Sequence, residues 1–174
     1  NDGGADSRTD YGVTIVGGLG WVNGADYTIA PGGGHHVLYS ANGVVFHSDG
    51  SGPGAPVVSI MAGDVQIEAD AAGTLHAVVG GYGYGTYFND PGQLAYLTST
   101  DNGTTWSTPE IVHPSRGARF PALTLDRNGV PAVAFWSDGL YYGSRAGGAW
   151  QFSRVFVPPW WDDHSVRLRL AFDS

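Results

Sequence analysis

The chain has 174 residues, of which 42% are hydrophobic, and a formal net charge of −8. That is enough length and apolar content for an ordinary domain with a core, and too much apolar content for disorder. The negative charge argues against a nucleic-acid partner, whose phosphates need a basic face. No apolar run approaches the ~18 residues of a membrane helix, and the lack of cysteine excludes disulfides and thiolate metal sites.

Charged residues make up only 14%, against roughly 25% in soluble domains, which fits a secreted or cell-surface protein with a polar, weakly charged exterior. No basic-then-apolar segment opens the chain, so the expectation is a signal peptide already removed or never present. The 28 glycines favour many turns and few long helices.

In chain order, the apolar pieces are short and rich in β-branched residues. They include Gly12–Val16, Val37–Tyr39, Val44–Phe46, Val57–Ile60, Leu75–Val79, Val133–Trp136 and Arg167–Phe172, with Gly, Asn, Asp and Pro punctuating the chain between them. This is an all-β pattern, and it repeats. Ile67–Val79 lines up with Leu123–Phe135, placing Asp70 on Asp126 and Gly73 on Gly129. A looser copy, Tyr27–Tyr39, puts Gly33 and His36 where Gly73 and His76 stand, and Leu170–Ser174 begins another.

Each copy continues into a second hairpin strand (Gly43–His47, Gln93–Thr98, Gly139–Gly143) and a closing strand (Ala55–Ile60, Trp106–Val112, Trp150–Phe156). Four-stranded antiparallel units repeated along a chain predict the blades of a β-propeller; a β-sandwich is the alternative. The expected division is a partial blade at 1–25, blades at 26–62, 63–118 and 119–165, and the first strand of a further blade at 166–174. About three full blades do not close a ring, so completion by further chain or by self-assembly is expected.

One motif is specific. Ser99-Thr-Asp-Asn-Gly-Thr-Thr-Trp106 has the form Ser-x-Asp-x-Gly-x-Thr-Trp, which resembles the Asp-box of sialidases and related β-propellers (BNR repeats). Ser144–Trp150 looks like a shortened copy. Asp in such a turn accepts backbone N–H bonds, Gly supplies positive φ and Trp plugs the adjacent gap. Ser99, Asp101, Gly103 and Trp106 are therefore read as structural. The resemblance covers residues 26–174. It implies that ligands bind where the second-to-third-strand loops and the connections between blades meet.

Several candidates fall there. Tyr82 and Tyr84 lie in a glycine-rich loop, and Trp136 and Asp138 in the next equivalent loop. Trp160, Trp161 and Asp162 lie in a Pro-Pro-Trp-Trp-Asp-Asp-His segment. Aromatic rings suit the C–H faces of sugars, so the expected partner is a glycan or polysaccharide. Arg119-Phe-Pro resembles the sialidase Arg-Ile-Pro, whose Arg holds a substrate carboxylate. Asp oxygens suit Ca²⁺, but two are too few for its roughly six to eight ligands, so no metal or other cofactor is expected. His35 and His36 are adjacent in a strand and point to opposite faces, which favours packing over metal binding.

Catalysis lacks its parts. Of the two glutamates, Glu68 is the candidate to activate a tyrosine in the manner of sialidases, and Arg119 the only clamp with a motif. The leading expectation is thus a non-catalytic extracellular carbohydrate-binding or adhesion propeller. The alternatives are a sialidase-like glycoside hydrolase and a structural cell-surface or filament subunit.

Overall fold

A computed structural model describes residues 22–60, 62–80, 93–113, 117–157 and 168–171. Among these the chain is all-β, with three four-stranded antiparallel sheets and one short 3₁₀ turn at Ala146–Gly148. Sheet I comprises β1 (Val22–Ile29), β2 (His35–Ala41), β3 (Val44–Ser48) and β4 (Ala55–Val58). Sheet II comprises β5 (Asp64–Ala69), β6 (Leu75–Gly80), β7 (Leu94–Ser99) and β8 (Glu110–His113). Sheet III comprises β9 (Arg119–Leu125), β10 (Pro131–Trp136), β11 (Leu140–Ser144) and β12 (Gln151–Phe156). In every sheet the strands lie side by side in chain order. Residues 168–171 lie outside any strand.

The repeat seen in the sequence is a repeat of hydrogen bonds. In the turn after each first strand, Gly33, Gly73 and Gly129 donate to the carbonyls of Ala30, Asp70 and Asp126 at 2.8, 3.0 and 2.9 Å. The glycines take φ of +81°, +86° and +76°, the region where a Cβ is penalised. Asp70 Oδ1 accepts from the N–H groups of Ala72 and Thr74, and Asp126 Oδ1 from those of Asn128 and Val130. Such side-chain capping of a turn is why Asp recurs there. The β2–β3 hairpin turns on Asn42 and Gly43, both at positive φ, as a two-residue loop of this twist requires.

Sheet II is covered on both faces, and β6 is buried along its whole length. Ala77 and Val79 pack with Leu38, Val45, Val65 and Ile67 toward sheet I. Val78, one residue out of phase, packs with Leu123, Val133 and Phe135 toward sheet III. The two-residue period of a strand divides one sequence between two cores. Each fully buried large apolar side chain contributes about 1.5–3 kcal/mol.

The first strands of successive sheets are neighbours, β1 beside β5 and β5 beside β9. Asp26 Oδ2 accepts from the Ile67 N–H at 2.9 Å, and Asp64 Oδ2 from the Phe120 N–H at 3.2 Å. Burial pushes both carboxyls up from the ordinary Asp range. Phe120 sits at φ +53°, a costly conformation for a non-glycine residue, and the Asp64 bond holds the backbone there.

Candidate ligand-binding cleft

Between sheets II and III lies a cleft of about 470 Å³. Sheet II supplies His76 from β6, Tyr96 and Thr98 from β7, and Glu110 at the start of β8. Sheet III supplies the Gly129–Pro131 turn and Arg145.

The inner wall is a chain of hydrogen bonds. Tyr96 Oη lies 2.5 Å from His76 Nδ1, and His76 Nε2 lies 3.4 Å from Asp70 Oδ2. Burial lowers the His76 pKa from 6.5 against the raising effect of Asp70, so the imidazole is neutral at pH 7. That assigns the direction: Tyr96 O–H donates to Nδ1, and Nε2–H donates to Asp70. Burial also pushes the Tyr96 phenol up, so Tyr96 presents a neutral ring and an oxygen lone pair.

The outer wall is charged. Arg145 Nε donates to Glu110 Oε2 at 3.1 Å, with the two side chains 32% and 38% exposed. The Arg145 guanidinium carbon sits 5.9 Å from the Tyr96 ring centre, within cation–π range. Trp150 meets the same ring edge-on, 5.4 Å between centroids at 80°. The terminal guanidinium nitrogens and the second Glu110 oxygen make no hydrogen bond among the described residues, which leaves donor and acceptor capacity in the lining of the cleft.

Arg145 owes its place to the strand ladder. His76 pairs with Thr98, and Ala132, the counterpart of His76, pairs with Ser144. Ser144 therefore takes the position of Thr98, and Arg145 that of Ser99. This corrects the motif alignment, which set Ser144 on Ser99.

The Ser99–Trp106 turn itself is a folding device. Asp101 Oδ1 accepts from Ser99 Oγ and the Thr105 N–H, both at 2.8 Å, and its Oδ2 from Thr105 Oγ1 at 2.5 Å. These donors hold its carboxyl at about 2. Gly103 N–H donates to Ser99 Oγ, and Trp106 Nε1 to the Gly103 carbonyl at 3.2 Å. His36 and His47 form a buried pair, Nδ1 to Nε2 at 3.0 Å, while His35 is exposed; the two neighbours face opposite ways, as alternation dictates.

Among the described residues, the candidates expected from sequence fall elsewhere. Arg119 and Trp136 are cross-strand partners at the far end of sheet III, with Asp138 in the turn after β10. The structure thus brings these three together, at the end of the strands away from the cleft. Trp136 is only 8% exposed, and its Nε1 has no hydrogen-bond partner among the described residues. Asp138 accepts from Tyr141 Oη at 2.8 Å and pairs with Arg154 at 3.2 Å. Glu68 is half-buried on β5 and is not a wall of the cleft; burial, with Asp26 adding to it, raises its carboxyl. Tyr82, Tyr84, Trp160, Trp161 and Asp162 lie outside the described residues.

Sequence reasoning missed His76, Tyr96, Glu110 and Arg145 as a group. The available signal was the shortened copy of the Ser99–Trp106 motif, in which an arginine stands in the place of the serine that ties the complete turn. It becomes visible only when the register is known.

No protein-family model matches the chain, and no curated protein matches it. Solved structures do. One is a protein of unknown function from Dyadobacter fermentans, at TM-score 0.51 and 11% identity over 74% of this chain. The matched region spans only 40% of that protein. Another is a fucose lectin from Kordia zhangzhouensis in complex with methyl-fucoside, at TM-score 0.50 and 16% identity, covering 76% of this chain and 99% of the lectin. At these identities the likeness is one of fold.

Proposed function

We propose that this protein binds a neutral carbohydrate in the cleft between sheets II and III, and that the three sheets are blades of a β-propeller. The observation that carries the binding reading is the wall that joins a carboxylate, a guanidinium and an aromatic ring. Glu110 only accepts hydrogen bonds and Arg145 only donates them. A sugar hydroxyl does both, so a pair of adjacent hydroxyls bridges the two. The Tyr96 ring and the Val130–Pro131 turn offer apolar surface for a C–H face of the sugar. The Kordia lectin supports the reading, since a protein of like fold binds a fucoside. The propeller reading rests on the side-by-side first strands and the two-sided burial of sheet II.

Electrostatics favours a neutral sugar over an acidic one. Arg145 is already neutralised by Glu110, His76 is uncharged at pH 7, and the chain as a whole carries −8. The same points weigh against a hydrolase. Tyr96 is held as a phenol, and Glu110 pairs with Arg145.

The test is calorimetric titration with methyl-fucoside, other neutral monosaccharides and sialic acid. A neutral sugar is expected to bind, and Glu110→Gln and Arg145→Ala each to weaken it. Loss of a hydrogen bond to a charged group costs about 1.5–3 kcal/mol, roughly ten- to a hundredfold in Kd. Unchanged affinity in both variants, or no sugar binding by the wild type, would refute the assignment.

A further inference from the structure

Among the described residues the same inter-sheet space occurs twice, once filled and once open. His36 and His47 of sheet I stand where His76 and Tyr96 of sheet II stand, because the ladders match: Leu38 pairs with His47 as Val78 pairs with Tyr96. Trp106 meets His47 edge-on at 5.6 Å and Trp150 meets Tyr96 edge-on at 5.4 Å. Over His36 and His47 lie Asn102 and Gly103 of the complete Asp-box. Gly103, at φ +81°, approaches so closely that an added Cβ would overlap the His47 ring. Asn102 Oδ1 and His36 Nε2 converge beside Gly34.

The third sheet lacks this cover. Ser107 donates to Thr98 across the complete turn, with residues 99–106 between them, whereas Ser144 pairs with Gln151 across residues 145–150 only. The turn is two residues shorter. Ala55, which pairs with His47, occupies the place of Glu110, which pairs with Tyr96.

The geometry points to the turn between the third and fourth strands as the determinant of ligand access: its complete Asp-box form plugs the space beside the preceding sheet, and its shortened form in sheet III opens that space and lends it Arg145. Asp-box completeness thereby sets which inter-sheet junction binds a ligand. This rests on the reading of the cleft as a sugar site, and it adds that the junction between sheets I and II is a closed counterpart.

The test replaces residues 145–150 with the sequence of residues 99–106, beside Arg145→Ser as a control that removes the guanidinium but keeps the short turn. In the graft, nuclear Overhauser contacts are expected between the introduced Asn-Gly pair and the Tyr96 ring. Binding of methyl-fucoside is expected to fall below detection at millimolar sugar, further than in Arg145→Ser. Absence of those contacts, or affinity equal to the control, overturns the inference. If the wild type binds no sugar, the function assignment fails, and the contacts alone judge the plug. Should the graft not fold, deletion of Asn102 and Gly103 serves instead. It is expected to speed modification of His36 and His47 by diethyl pyrocarbonate several-fold, and an unchanged rate overturns the inference.

Discussion

Acidification will weaken this fold through His47 and its partner His36, and comparison with a His47 variant separates the effect from the carboxyls that titrate in the same range. Burial, with His36 alongside, lowers the His47 pKa from 6.5 to about 4, despite Asp49, which raises it. The unfolded chain therefore takes up a proton below pH 6.5 that the folded chain refuses until about 4. Stability from this group is fully present above 6.5 and is lost progressively as the pH falls toward 4. A shift of this size carries about 3 kcal/mol as an upper bound. Asp26, Asp64 and Glu68 act in the opposite sense, because burial raises their pKa values and the folded state binds their protons first. The decisive quantity is therefore a difference. Urea unfolding of the wild type and of His47→Leu should be measured from neutral pH down to about 4. At neutral pH the variant should be less stable by about 1 kcal/mol, for the lost bond to His36. The gap should close or reverse as the pH falls. A gap that stays constant or widens would refute the assignment of a buried, neutral His47.

Two further outcomes follow from the packing and the turns. Phe135→Ala empties a fully buried site between sheets II and III and should cost about 3–5 kcal/mol, read as a lower urea midpoint with an unchanged slope. Asp101→Ala removes the acceptor of three hydrogen bonds in the Ser99–Trp106 turn and should lower Tm at pH 7. Because the carboxyl is held at about 2 against an ordinary 3.8, its stabilisation persists above pH 3.8 and disappears as the pH falls through about 2. The Tm difference between wild type and variant should therefore shrink in that interval.

Much of the architecture was legible because it is local. Gly73 and Gly129, three residues after Asp70 and Asp126, announce turns whose hydrogen bonds lie within the motif. The Ser99–Trp106 turn is likewise self-contained, since Ser99, Asp101, Gly103, Thr105 and Trp106 bind one another. Strand edges were less exact. The last strand of sheet II starts at Glu110 rather than Trp106, because Ser107 makes one ladder bond to Thr98 and Pro109 interrupts the run.

The cleft was illegible for the opposite reason. Its four working groups come from four places in the sequence, and none has a neighbour in the chain that signals its role. Glu110 and Arg145 meet at 3.1 Å across two sheets, an encounter set by how far β8 and β11 advance along their ladders. A slip of one residue in either would turn the side chain to the other face. Arg145 illustrates the point most sharply. Read by motif, it is a defect in a shortened copy of the Ser99–Trp106 turn; read by register, it stands in the place of Ser99 and reaches back to the previous sheet instead of tying its own turn. What a repeat loses locally in such a case is the raw material of a site, since a turn that no longer fills its groove leaves both the volume and the freed position for binding.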